Sequence, residues 1–309
     1  MESVEKRADV RYVGADQLPE ALLDTDVLFV WDFLSDVVPA SWPTGEHRVR
    51  WVHIASAGVN NVLFPELRDA DVVLTNSRGV FDQPVAEYVL GMVLAFVKDL
   101  TGTVHAQREH RWQHRETERL AERTALVVGT GPIGRATARL LRAVGLQVRA
   151  IGRTARSQDP DFGAVHPFEE LTDQLGWADF VIVVAPLTPQ TTGMINADTL
   201  RAMRPSARLI NVGRGAQVVT DDLVEALRDR TIAGAALDVL ETEPLAASSP
   251  LWTMPDVLIS PHMAGDVVGW RSALVDAFTS NFLRWREGSP LRNVVDAQLG
   301  YVPTGSTVD

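Results

Sequence analysis

Three glycines, Gly129, Gly131 and Gly134, stand in the spacing G-x-G-x-x-G. That spacing suits a backbone turn that must admit a pyrophosphate. The first glycine permits the tight turn, the second lets the phosphates approach the backbone, and the third lets the following helix pack on its strand. A helix starting there offers free N–H groups and the positive end of its dipole to the phosphates. An NAD site is normally completed by an acid about 20 positions further on, hydrogen-bonded to the ribose 2′-hydroxyl. No acid occurs between Gly129 and Asp159; the interval holds Arg135, Arg139, Arg142, Arg149, Arg153 and Arg156. Arg153 falls where the second strand of a βαβ unit should end. An acid there would repel a 2′-phosphate, whereas arginine pairs with it bidentately. Thr154 adds a hydroxyl and Arg156 a second charge. The spacing points to NADP(H), with NAD(H) as the alternative and a solvated arginine-rich loop as the plain reading.

Three later stretches carry side chains suited to acid–base and anion chemistry. Arg214 lies in LINVGRGAQV, Asp238 and Glu243 in ALDVLETEPL, and His262 in ISPHMAG. Each follows an apolar run that reads as a strand, and ligands collect at strand ends on open α/β sheets. Singly, each has an ordinary reading: a solvent-facing arginine, a turn glutamate before a proline, a structural histidine. Together, in this order behind a glycine fingerprint, they form a candidate site.

The elements that must position these residues alternate strand and helix. Asp26–Trp31, Val49–Ser56 and Asp71–Asn76 read as strands, and Pro84 suits the first turn of an apolar helix. A polar segment, His105–Arg123, reads as an exposed helix followed by a loop. The pattern then restarts with a strand at Thr124–Gly129, a helix ending at Gly145, and a strand at 146–152. Strands follow at 179–186, 207–213, 234–240 and 257–262. Helices fit Asn196–Met203, Thr220–Arg230 and Val267–Glu287. Short continuous apolar strands belong to parallel sheets buried on both faces.

The chain has 309 residues, 46% of them hydrophobic and 22% charged, enough for two domains with substantial cores. Its net charge of −11 speaks against nonspecific binding to nucleic acid or an anionic membrane. There are no cysteines, which excludes disulfides, thiolate catalysis and thiolate metal sites. The polar start MESVEKRADV and the shortness of the most apolar run, Tyr88–Val97, lead to the expectation of a cytoplasmic protein without a membrane span. The polar tail after Val302 is expected to fray.

Over almost its whole length the sequence resembles the D-isomer-specific 2-hydroxyacid dehydrogenase family. The motifs that carry the resemblance are VVGTGPIGRATARLL, the long run from Ala185 to Asp229, IAGAALDVLETEPL and SPHMAG, with SAGVN and VAEYVL near the N-terminus. The resemblance implies an α/β fold of two doubly wound, Rossmann-like or flavodoxin-like parallel-sheet domains with a cleft between them. Residues 1–98 and 283–309 would form the substrate-binding domain and 99–282 the dinucleotide-binding domain. It implies Arg214 as the substrate-binding arginine, Glu243 and His262 as the acid/base pair, and Asp238 near the nicotinamide amide. Backbone N–H groups of Ser56, Ala57 and Gly58 would hold the substrate carboxylate. Further cofactor contacts are implied for Pro132, Ile133, Pro186, Val212 and Gly265, and no metal site is implied.

Reducing a 2-oxo acid needs a hydride, a proton for the developing alkoxide and an anchor for the carboxylate. The implied roles supply all three, with a small 2-oxo or 2-hydroxy acid such as glyoxylate or hydroxypyruvate as the partner. The pairing of His262 with a glutamate separates the chain from the formate dehydrogenase branch, which uses glutamine. The chain ends soon after the return segment, so no regulatory extension is expected. A bulkier oxo acid or phosphite, or a dinucleotide-sensing corepressor-like role, stand as alternatives. Trp31–Leu34, Ser56–Asn60, Met263 and Trp270 are expected to set side-chain specificity. A homodimer through the cofactor domain is implied, with Trp112 either in that contact or packed on its own chain.

Overall fold

The structure is a computed structural model, and it describes residues 1–303. From residue 304 the C-terminal tail lies outside the described residues. The chain divides into two compact units, Met1–Phe81 with Val267–Asp309, and Asp82–Asp266.

The first unit is built on three parallel strands, β1 (Val27–Val30), β2 (Trp51–Ile54) and β3 (Val73–Asn76), in that order. Alternation along β2 feeds both faces. Val52 and Ile54 pack with Leu18, Leu22, Val38 and Leu67 from short helices on one side. Trp51 turns the other way and stacks on Phe278 of the helix Trp270–Arg286, with ring centroids 5.4 Å apart. His53, on that same face, is fully buried and bonded to Thr75. Burial alone pushes its imidazole down to about 4, so it is neutral and belongs to the core.

The second unit holds an eight-stranded sheet: β4 (Thr124–Val128), β5 (Gln147–Gly152), β6 (Arg156–Asp159), β7 (Gly163–Pro167), β8 (Phe180–Val183), β9 (Arg208–Asn211), β10 (Gly234–Leu237) and β11 (Val257–Ile259). The order is β11-β10-β9-β8-β4-β5-β7-β6, parallel except for β6 against β7. Strand order reverses between β4 and β8, which makes the carboxyl ends of those two strands a topological switch point. All residues of β4 and β8 are buried, which is why their sequences are unbroken apolar runs after Thr124.

The units divide one helix before each of the crossings expected near 98 and 283. Helix Asp82–Val97 packs on the fingerprint helix Pro132–Ala143, whereas helix Trp270–Arg286 packs on β2. The expected helices at 196–203 and 220–230 are found at Ala197–Ala202, capped by Asn196, and Thr220–Arg228. The last helix starts only at Trp270, after Gly269 in the left-handed region. In the polar segment, helix Leu100–Arg108 is followed by an irregular stretch to Arg123. Trp112 in that stretch is 102% exposed, so the reading in which it packs on its own chain is corrected. The β6–β7 hairpin was not expected. Among the described residues no single helix is long and apolar enough to cross a membrane.

Candidate active site

The fingerprint turn follows β4 directly. Gly129 has φ +121°, and a Cβ on Gly134 would lie 2.0 Å from the Gly129 carbonyl oxygen, so only glycine lets helix and turn close. Gly131 caps the helix, with Pro132 in its first turn and Ile133 half-buried behind it. A Cβ at Gly131 would meet nothing within 4 Å, so the start of this helix is open. Arg153 and Thr154 are exposed directly after β5, as expected from the spacing. Arg156 is engaged differently. It opens β6, and its Nε lies 2.9 Å from Asp159.

Asp159 is the residue that sequence reasoning missed on this side. Its side chain is 2% exposed and takes a fork of two 3.1 Å bonds from Arg135, plus backbone N–H groups of Asp161 and Phe162. Burial pushes its pKa up, but these hydrogen bonds and the Arg135 charge prevail and hold it at about 2. The carboxylate thereby ties the hairpin after β5 to the fingerprint helix.

The second cluster gathers at the carboxyl ends of β9, β10 and β11. Arg214 is fixed by Gln217, a fully buried side chain that accepts the Arg214 N–H at 2.8 Å and donates to the Ala185 and Pro186 carbonyls. Gln217 thus joins the turn after β9, which includes Val212, to the turn after β8. A Cβ on Gly215 would fall 1.9 Å from Leu240, so a glycine is required where these loops cross. Burial lowers the Arg214 pKa and the Glu243 charge opposes that; the guanidinium stays charged.

His262 Nδ1 lies 2.7 Å from Glu243 Oε2, and Glu243 Oε1 accepts the Leu240 N–H at 2.9 Å. Burial raises the Glu243 pKa, but the bonds from His262 and Leu240, and the His262 and Arg214 charges, bring it below its ordinary value. Both side chains remain partly open, 25% exposed for His262 and 32% for Glu243. His262 has φ +54°, an uncommon conformation for a residue with a side chain, which costs on the order of 1 kcal/mol.

Asp238 holds that conformation in place. Its buried carboxylate accepts from Ser260 Oγ at 2.6 Å, Met263 N–H at 2.9 Å and Ala264 N–H at 3.0 Å, and its carbonyl accepts the His262 N–H at 2.8 Å. Gly265 follows at the end of this turn. The sequence offered Asp238 only as a cofactor neighbour; its work on the His262 turn is visible only in three dimensions.

Ser56, Ala57 and Gly58 lie in the first unit, after β2. The Ser56 carbonyl accepts from Ser77 N–H, the Ala57 carbonyl from Asn76 Nδ2, and the Gly58 carbonyl from Ser56 Oγ. In a trans peptide the N–H points opposite the preceding carbonyl. The N–H groups of Ala57 and Gly58 therefore face away from β3, suited to an anion.

The second unit thus combines a switch-point glycine turn, of the kind suited to a dinucleotide, with a His262–Glu243 pair near Arg214. Residues 90–264 match the family described as D-isomer specific 2-hydroxyacid dehydrogenase, NAD binding domain. The chain is 32% identical over 263 residues to glyoxylate/hydroxypyruvate reductase A of Serratia proteamaculans, covering 82% of each chain. It resembles the crystal structure of an NADPH-dependent glyoxylate/hydroxypyruvate reductase from Sinorhizobium meliloti in complex with NADP and sulfate, at 30% identity and TM-score 0.80, covering 91% of this chain and 88% of that one. It also resembles a D-isomer specific 2-hydroxyacid dehydrogenase from Xanthobacter autotrophicus Py2 in complex with NADPH and MES, at 34% identity and TM-score 0.75, covering 90% and 85%. The chain belongs to the D-isomer specific 2-hydroxyacid dehydrogenase family, a family of oxidoreductases that use a nicotinamide dinucleotide.

Proposed function

We propose that the protein catalyses the reversible NADPH-dependent reduction of a small 2-oxo acid, of the glyoxylate or hydroxypyruvate kind, to the D-2-hydroxy acid. The observation that carries this reading is the His262–Glu243 pair, 2.7 Å apart and partly open, beside the fixed Arg214. The dinucleotide, when bound, supplies the hydride. Gly129, Gly131, Pro132, Ile133 and Gly134 would form its pyrophosphate cradle, with Pro186, Val212 and Gly265 along the strand ends.

Glu243 engages Nδ1, which leaves His262 Nε2 to deliver the proton to the developing alkoxide. Because Glu243 stays ionised through the neutral range, it holds the Nδ1 edge of His262 and fixes the orientation of the ring. Arg214 pairs with the substrate carboxylate and polarises the carbonyl. The Ala57 and Gly58 N–H groups are a further candidate anchor for a carboxylate. In the oxidation direction His262 enters neutral and takes the hydroxyl proton.

NADP(H) preference is assigned to Arg153 and Thr154, with NAD(H) as the alternative. Arg156 contributes less, because it already faces Asp159. One solved relative described as NADPH-dependent, at 30% identity, supports this choice. The exposed Trp112 supports a homodimer. The test is turnover of glyoxylate and hydroxypyruvate with each dinucleotide, in wild type and Arg153→Asp. Wild type is expected to favour NADPH, and the variant to lose about 10–10²-fold of that preference. An unaltered preference would remove Arg153 from the assignment.

A further inference from the structure

The proposed reaction leaves the substrate side chain without a seat. We infer that Trp31 and Trp270 form that seat, and that it takes an aromatic 2-oxo acid, an arylpyruvate, in preference to glyoxylate. This rests on the 2-oxo acid reductase reading and changes only its preferred substrate, from a small acid to an aromatic one.

The position comes from strand register. Val30, the last residue of β1, pairs with Ile54 at the end of β2, and the Ala55 N–H donates to the Val30 carbonyl at 2.9 Å. Trp31 follows Val30 directly, and Ser56 follows Ala55 on the neighbouring strand. Trp31 therefore stands at the sheet edge that carries the anion-suited turn Ser56–Gly58. The turn and the indole thus share the carboxyl edge of the first unit's sheet.

The chemistry comes from the rings. Trp31 meets Phe29 edge-on at 5.8 Å and lies parallel to Trp270, at 10° with centroids 6.5 Å apart. Trp270 is held in turn by Phe33 at 6.4 Å and 76°, Phe81 at 6.4 Å, and the Arg271 guanidinium 5.3 Å from its centroid. Despite these neighbours Trp31 stays 43% exposed, and Leu34 beside it 60%. The indoles are thus fixed in orientation before any ligand arrives, so little ordering is lost on binding. A flat aromatic group gains ring contacts here and removes apolar surface from water. Glyoxylate places only a hydrogen at this position, and hydroxypyruvate a hydroxyl that carbon atoms cannot satisfy.

The test is kcat/KM with NADPH for phenylpyruvate, hydroxypyruvate and glyoxylate, in wild type, Trp31→Ala, Trp31→Phe and Trp270→Ala. Wild type is expected to favour phenylpyruvate over glyoxylate by about tenfold or more. Trp31→Ala and Trp270→Ala should each lower phenylpyruvate turnover about tenfold more than glyoxylate turnover, and Trp31→Phe should restore most of the difference. A wild-type preference for glyoxylate, or equal losses on both substrates, would overturn the inference while leaving the reductase reading intact. Absence of turnover on all three acids would overturn both. The wild-type preference is read without any variant, so a misfolded alanine variant does not protect the inference.

Discussion

Two turns at the carboxyl edge of one sheet reach a defined geometry by opposite means. At 129–134 side chains are removed: a Cβ on Gly134 would strike the Gly129 carbonyl, and Gly131 opens the helix end. At 260–264 side chains do the holding: the Asp238 carboxylate takes three donors, and His262 sits at φ +54° without being glycine. The difference follows from what each turn presents. A turn that offers backbone N–H groups to phosphates must clear its own side chains. A turn that aims one imidazole must fix its backbone, even in a conformation that costs on the order of 1 kcal/mol.

The largest break should come at the partner of the imidazole that the second turn aims. Glu243→Gln is expected to lower kcat for reduction about 10²-fold at neutral pH, because the imidazolium loses its carboxylate. In wild type the pairing persists through the neutral range, because the Glu243 pKa is lowered, and it is lost only as pH falls through that value. Rate–pH profiles of the two proteins check both statements; coincident profiles would remove Glu243 from the proton path.

Asp238→Asn tests whether the turns act separately. One acceptor oxygen becomes a donor facing the Ser260 hydroxyl or the turn N–H groups, and the imidazole is displaced. A displaced catalytic group should lower kcat about tenfold. NADPH affinity, measured by fluorescence titration, should change less than kcat. An equal loss in both would show that Asp238 serves the dinucleotide as much as the histidine.

The smallest effect on turnover belongs to Asp159→Asn, behind the cradle. The depressed pKa of about 2 contributes on the order of 2 kcal/mol of stability above pH about 4, lost as pH falls toward 2. Urea unfolding at pH 7 and pH 3 should show the variant weaker at pH 7 and the gap narrower at pH 3. A gap independent of pH would mean that the Arg135 bonds hold without the charge.

The two turns were unequally legible in the sequence. Glycine spacing reports a backbone demand directly, so the cradle, its strand and its helix were readable, as were most later strands and helices from their apolar runs. The β6–β7 hairpin was not, because RSQD and GAVHP are short and mostly polar, without an apolar period. The structural work of Asp159 and Asp238 was not legible, for a related reason. A carboxylate that folds back onto N–H groups looks the same in sequence as one that meets a ligand. The unit boundaries depend on which sheet an apolar helix packs against, and the pattern of Asp82–Val97 does not specify that. Trp112, an aromatic in a polar run, proved open to solvent instead of folded inward.

The most direct test of the whole account is His262→Ala, assayed by NADPH oxidation with a 2-oxo acid that wild type reduces. The account predicts a fall in kcat of about 10²–10⁴-fold with NADPH still bound. Turnover near that of wild type would contradict it.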